Sequence, residues 1–174
     1  MPHPLVQQLR FARSEFVRGF EGVTEEEGFK RFLPINSLGW MVAHLASQEQ
    51  RYWLWRAQGR RLLPELDEIA GYGRPASTPS ISEMWDAWRA IIAEVDPWLD
   101  EQTTESLQTH LMVDGQPHDE SIGTMIRRVT YHYFFHTGEA QAVRQLLGHT
   151  NLLEFVGDIE PTAGYVPETI PSTS

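Results

Sequence analysis

Apolar residues recur along this chain at helical intervals in four segments, with a stripe of positions spaced at about 100° in each. The first runs from about Pro4 to Phe20, with Leu5, Leu9, Ala12, Phe16 and Phe20 falling together. Pro4 suits a first helical position, where no N–H is needed. Gly19 and Gly22 favour its end. Asn36 or Ser37 can cap a second helix that continues to about Ala57, its inward stripe being Met41, Leu45, Tyr52 and Trp55 with His44 at the edge. Residues 24–28 read as a charged loop, and 71–80 (GYGRPASTPS) as a long irregular connection. Ser80 and Glu83 form a capping-box pattern ahead of a third helix lined by Ile81, Trp85, Trp88, Ile92, Val95 and Leu99. Pro97 is expected to kink or end it. Alternation around Asp114-Gly115 suggests a small hairpin within 107–120. Ser121 caps a last helix that reaches Leu147 and stops at Gly148, about 40 Å at 1.5 Å per residue. Met125, Val129, Val143, Leu146 and Leu147 form its stripe, and the tail from about 150 is expected to pack locally and then fray.

Four such helices imply an all-α fold in a single domain of 174 residues, with residues 71–80 able to join two parallel helices. A net charge of −10, with no basic cluster, disfavours nucleic-acid binding. Six Trp, five Tyr and eight Phe supply large buried area without staples, and the absence of Cys means that any metal must rest on His, Asp or Glu. No run approaches the roughly 18 apolar residues of a membrane span, and residues 1–4 do not resemble a signal peptide, so a soluble, cytoplasmic protein is expected.

The last helix carries His132, His136 and Glu139 where its apolar stripe would continue. Two imidazoles and a carboxylate in a buried stripe cost free energy unless each finds a partner. A four-residue separation puts both rings on one face about a turn apart, where they can share a divalent ion. For an isolated pair, core histidines bonded to backbone or neighbours are the commoner alternative; His44, facing from the second helix, strengthens the metal reading. Glu139 is a candidate to accept a ligand's ring N–H or a substrate proton, with an ion pair to Arg144 as the alternative. Gln48 is read as structural, or as a partner for a metal-held water. Tyr131 and Tyr133 are packing positions, Trp40, Trp53, Trp85 and Trp88 are core, and His3, His110, His118 and His149 are surface residues outside the site.

Residues 36–50 (NSLGWMVAHLASQEQ) and 132–148 (HYFFHTGEAQAVRQLLG) resemble the DinB-like (DinB/YfiT) superfamily. Its motifs map onto Asn36, His44 and Leu45, then onto His132, His136, Gly138, Glu139, Arg144 and Gly148. The resemblance implies a four-helix bundle in up-up-down-down order with a long second-to-third crossover. It also implies a divalent metal, usually zinc or nickel, on His44, His132 and His136. Relatives with assigned roles activate low-molecular-weight thiols. They include bacillithiol-using transferases and mycothiol-dependent isomerases, in which a glutamate tends to replace the histidine found here at 132. The expected function is thus a metal-dependent thiol S-transferase joining a thiol to an electrophile, with Glu139 assisting. A non-catalytic stress-response or binding module, or a metal-dependent hydrolase, are the alternatives. A homodimer is compatible with the sequence.

Overall fold

The computed structural model describes residues 1–154 and 156–167, and the expected fraying of the tail's end lies outside them. Four long helices dominate: α1 (Pro4–Gly19), α3 (Leu38–Glu49), α5 (Ile81–Asp100) and α7 (Ile122–Leu146). Short helices α2 (Glu25–Phe29), α4 (Leu66–Ala70), α6 (Thr104–Leu107) and α8 (Glu160–Ala163) punctuate the connections, and β1 (His110–Val113) pairs antiparallel with β2 (Gln116–Ser121). Helix α1 packs on α7, α3 on α5, and α3 also on α7. The chain is mostly helical, as expected, with one small sheet. No helix is long and apolar enough to cross a membrane among the described residues.

Serine caps set three of the long helices in place. Ser37, Ser80 and Ser121 accept from the backbone N–H of Trp40, Glu83 and Thr124, satisfying donors that the first turn leaves over. At Ser80 only this half of the expected box is made. The full reciprocal box forms at Thr24 and Glu27, which turns the stretch read as a charged loop into α2. Between the strands, Asp114 and Gly115 take φ of 51° and 77°, the paired positive values of a tight hairpin turn. Pro97 does not end α5, which continues to Asp100.

Val6, Leu9, Ala12 and Phe16 of α1 meet Met41 and Leu45 of α3, Ile91, Val95 and Leu99 of α5, and Met125, Val129 and Val143 of α7 in one apolar cluster. Most of the expected stripes are buried there, but the second helix departs from its pattern. After Glu49 the backbone becomes a π-helix over Gln50–Arg56. The wider turn shifts the phase of every later side chain. Trp53 and Leu54 therefore face the core, whereas Trp55 is 42% exposed and Tyr52 is half-buried, correcting the inward assignment of those two. Leu146 is likewise exposed at the end of α7, and Trp85 and Ile92 are half-buried.

A polar layer crosses this core with contributions from all four long helices. Arg13 of α1 donates through Nε and Nη2 to the two carboxylate oxygens of Glu49 on α3, both at 2.7 Å, and through Nη1 to Asp96 of α5, also at 2.7 Å. Tyr133 of α7 donates to Glu49 Oε1 at 2.9 Å and accepts from Trp88 Nε1 of α5 at 2.8 Å. Glu49 and Tyr133 are fully buried and Arg13 nearly so. Burial and the neighbouring Glu49 carboxylate push the Tyr133 hydroxyl well above its usual range, keeping it a neutral donor.

Candidate metal centre

His44 lies one turn before Gln48 on α3, and His132 and His136 lie one turn apart on α7, so α3–α7 packing brings the three rings together. One nitrogen from each forms a group within 4.8 Å of one another. The close entry of the chain into α3 depends on Gly39, where a Cβ would lie 2.3 Å from the Pro79 carbonyl oxygen.

Each ring has its Nδ1 hydrogen committed elsewhere. His44 Nδ1 donates to the Ala70 carbonyl at 2.7 Å, His132 Nδ1 to Gln48 Oε1 at 2.5 Å, and His136 Nδ1 to Glu139 Oε2 at 2.7 Å. Oxygen acceptors fix the tautomer, so neutral rings turn their Nε2 lone pairs toward a shared centre. His132 Nε2 and His136 Nε2 stand 2.9 Å apart. Two lone pairs at that distance repel unless a positive charge lies between them. A proton is a poor candidate, because desolvation, then the neighbouring imidazoles, lower His132 to about 3; desolvation leads in lowering His44 to about 4. Three imidazoles so oriented are instead a donor set suited to a divalent cation with open positions left over.

Trp40 stacks on the His44 ring at 4.5 Å with planes 9° apart and meets His136 edge-on at 6.0 Å, clamping two of the three rings. Sequence reading treated Trp40 only as core. Helix α4, unseen in the sequence, supplies the Ala70 carbonyl and is tied to α3 by Ser47 donating to Asp67 at 2.8 Å. Buried Gln50 holds the preceding loop by accepting from the N–H of Leu62 and Leu63 and donating to the Leu63 carbonyl.

Gln48 is structural, as read, and its partner is His132. The alternative pairing of Glu139 with Arg144 is not formed. Arg144 is buried and donates to the carbonyls of Gly19 and Glu21, at 2.7 and 2.9 Å, and to His149 Nδ1. It thereby caps the C-terminus of α1, where carbonyls lack helical partners. Among the four histidines read as surface residues, only His110 is exposed. His3 caps α1, His118 contacts Arg56, and His149 joins Arg144 to Glu27, which leaves all three half-buried. Trp40, Trp53 and Trp88 are core as expected; Tyr131 is 61% exposed, unlike its buried neighbour Tyr133.

Beside the histidines a cleft of about 910 Å³ runs between α3 and α7. One wall carries His44 and Gln48 of α3 and Arg51 and Tyr52 of the π-helix that continues it, and the α7 wall carries Thr124, Arg128, His132 and Phe135 at the three- and four-residue steps of a helix face. Glu139 does not line it. The site thus has a protein-held face, where the rings are fixed, and an open face toward a small-molecule-sized space.

The architecture is similar to that of a solved conserved protein from Enterococcus faecalis, with a TM-score of 0.64 at 16% identity, covering 86% of this chain and 99% of that one. No protein of curated function matches the sequence. The profile of the DinB superfamily matches residues 8–140, a span that includes all three histidines, α3 and most of α7, and the chain belongs to that superfamily.

Proposed function

We propose that this protein is a divalent-metal-dependent thiol S-transferase working at His44, His132 and His136, on a four-helix bundle of up-up-down-down order with a long crossover. The observation that carries the reading is the set of three Nε2 atoms turned to one centre by three separate Nδ1 acceptors. A zinc or nickel ion held there would supply a Lewis acid that lowers the pKa of a thiol entering from the cleft.

The chain's own residues do the rest by position. Ala70, Gln48 and Glu139 keep the imidazoles aimed; Glu139 acts through His136 and is a positioning residue. The cleft admits thiol and electrophile together and confines them. In the reaction the thiol sulfur loses its proton to solvent through the open face and forms a bond to an electrophilic carbon, whose leaving group departs with the bonding electron pair.

The test is elemental mass spectrometry of untagged protein beside His44→Ala, His132→Ala and His136→Ala, followed by thiol-transfer assays with bacillithiol, mycothiol, glutathione and cysteine. The expected result is about one equivalent of metal in the wild type, its loss in each folded variant, and turnover that disappears with it. Metal retained in the variants would overturn the site. Full metal occupancy without transfer from any thiol would overturn the activity and favour a binding module.

A further inference from the structure

The charge of the cleft is opposite to that of the chain. In a protein of net charge −10, the cleft walls carry Arg51, Arg127 and Arg128 against a single carboxylate, Glu120. Arg128 is neutralised by forking onto Glu120, its Nε lying 2.8 and 3.0 Å from the two oxygens. Arg127 has no such partner, and Arg51 has only a long, shared one. Arg127 is exposed and has no hydrogen bond or ion pair among the described residues. Arg51 reaches Asp67 only at 3.6 Å, and Asp67 is shared with Arg61 at the same distance and with the Ser47 hydroxyl. Arg51 Nε is buried without any hydrogen-bond partner. A buried guanidinium N–H left unpaired costs free energy that an incoming oxyanion would recover.

Arg127 and the weakly paired Arg51 lie toward one end of the cleft. Arg56 contacts the His118 ring at 3.2 Å, which ties the end of the π-helix to the hairpin leading into α7. Arg51 on one wall and Arg127 and Arg128 on the other are thus displaced from the histidines in the same direction. Arg128 precedes His132 by one turn and Arg51 follows His44 by seven residues, offsets of about 6 and 10 Å at 1.5 Å per residue. Between and around them stand Tyr72, Tyr131 and Phe135, which are 87%, 61% and 69% exposed; Phe135 meets His136 edge-on at 5.3 Å, and all three offer aromatic surface to the cleft.

We propose that this cleft selects a small organic carboxylate: its acid group pairs with Arg51 and Arg127, its apolar body lies along the exposed aromatics, and its other end reaches the histidine centre. This deepens the reading of the histidines as the reactive end and rests on it for the ligand's orientation, but the anion subsite stands on the arginines alone.

The probe pair is 3-phenylpropionate and its neutral counterpart 3-phenylpropanamide, titrated calorimetrically into the full chain, both as isolated and after chelation. The acid is expected to bind at least tenfold more tightly than the amide. Arg127→Gln and Arg51→Gln should each weaken the acid about tenfold and leave the amide unchanged, and raising salt should weaken the acid alone. Arg127 is exposed, so its variant will fold whatever happens at Arg51. Equal binding of acid and amide, no binding of the acid, or full acid affinity in Arg127→Gln would overturn the proposal. Acid selectivity that survives in a protein unable to hold metal would support the anion subsite while sinking the metal reading; one equivalent of metal without acid selectivity would do the reverse.

Discussion

Replacing Arg13 by Met removes the cation that serves both Glu49 and Asp96, and the side chain it strands is fully buried. Glu49 would keep one donor, the Tyr133 hydroxyl, and lose its bidentate partner. Breaking a buried ion pair from one side costs about 3–5 kcal/mol, because the remaining charge is neither solvated nor paired. A protein of this size loses about 2–4 °C of Tm per kcal/mol, so a fall of roughly 6–20 °C is expected. Arg13→Met combined with Glu49→Leu removes both charges and leaves chiefly the Tyr133 O–H without an acceptor, a penalty of about 1–3 kcal/mol. The double variant should therefore be more stable than Arg13→Met alone. Urea unfolding followed by far-ultraviolet circular dichroism, on chelated protein to separate folding from metal binding, measures both. A loss below about 1 kcal/mol for Arg13→Met, or a double variant whose loss equals the sum of the singles, would refute the argument that desolvated charge governs this layer.

Glu139→Leu and Gln48→Leu should each weaken metal binding by roughly 10–100-fold, as loss of an oxygen that orients a ligand ring does, while helicity stays unchanged; competition against a chromogenic chelator reads this directly. Chelated protein should lose stability as pH falls from about 6.5 toward 4. Over that window unfolded histidines take up protons that His44 and His132, lowered to about 4 and about 3, refuse, so the unfolded state binds more protons and stability rises with pH. A Tm that holds or climbs between pH 7 and pH 5 would contradict this. Arg144→Met should cost about 1–3 kcal/mol, from the lost charge-assisted bonds to the Gly19 and Glu21 carbonyls, the first of which keeps Gln141 as a donor, with unchanged metal content; thermal melts alongside elemental analysis check both halves.

The histidine pair was legible because its four-residue step interrupts an apolar stripe, a local signal that no loop contact is needed to read. The groups that aim the rings were less so. Glu139 sits on the same helix and was found by spacing, but Ala70 contributes a backbone carbonyl from α4, and a carbonyl leaves no mark on the sequence. The Arg13 layer was missed for a different reason. Arg13 and Glu49 are charged residues on helices, and charge ordinarily marks a solvated face; only the meeting of all four long helices makes each the other's counterion. Cleft walls suffered from a phase error. Tyr52 and Trp55 were placed inward on the assumption of 3.6 residues per turn, which the π-helix from Gln50 breaks.

That π-helix also bears on how the site can change by descent. It begins after His44, Gln48 and Glu49, so the residues that α3 brings to the metal centre are upstream of it, while Arg51 and Tyr52 in the cleft and Trp53 and Leu54 in the core lie within it. Losing one residue between 50 and 56 while the wide turn persists would swing the side chains that follow by about 100°. A single-codon deletion is therefore a means of re-facing one wall of the cleft without touching the histidines. Its cost falls on the Trp53 packing, and its yield is a different set of side chains toward the ligand.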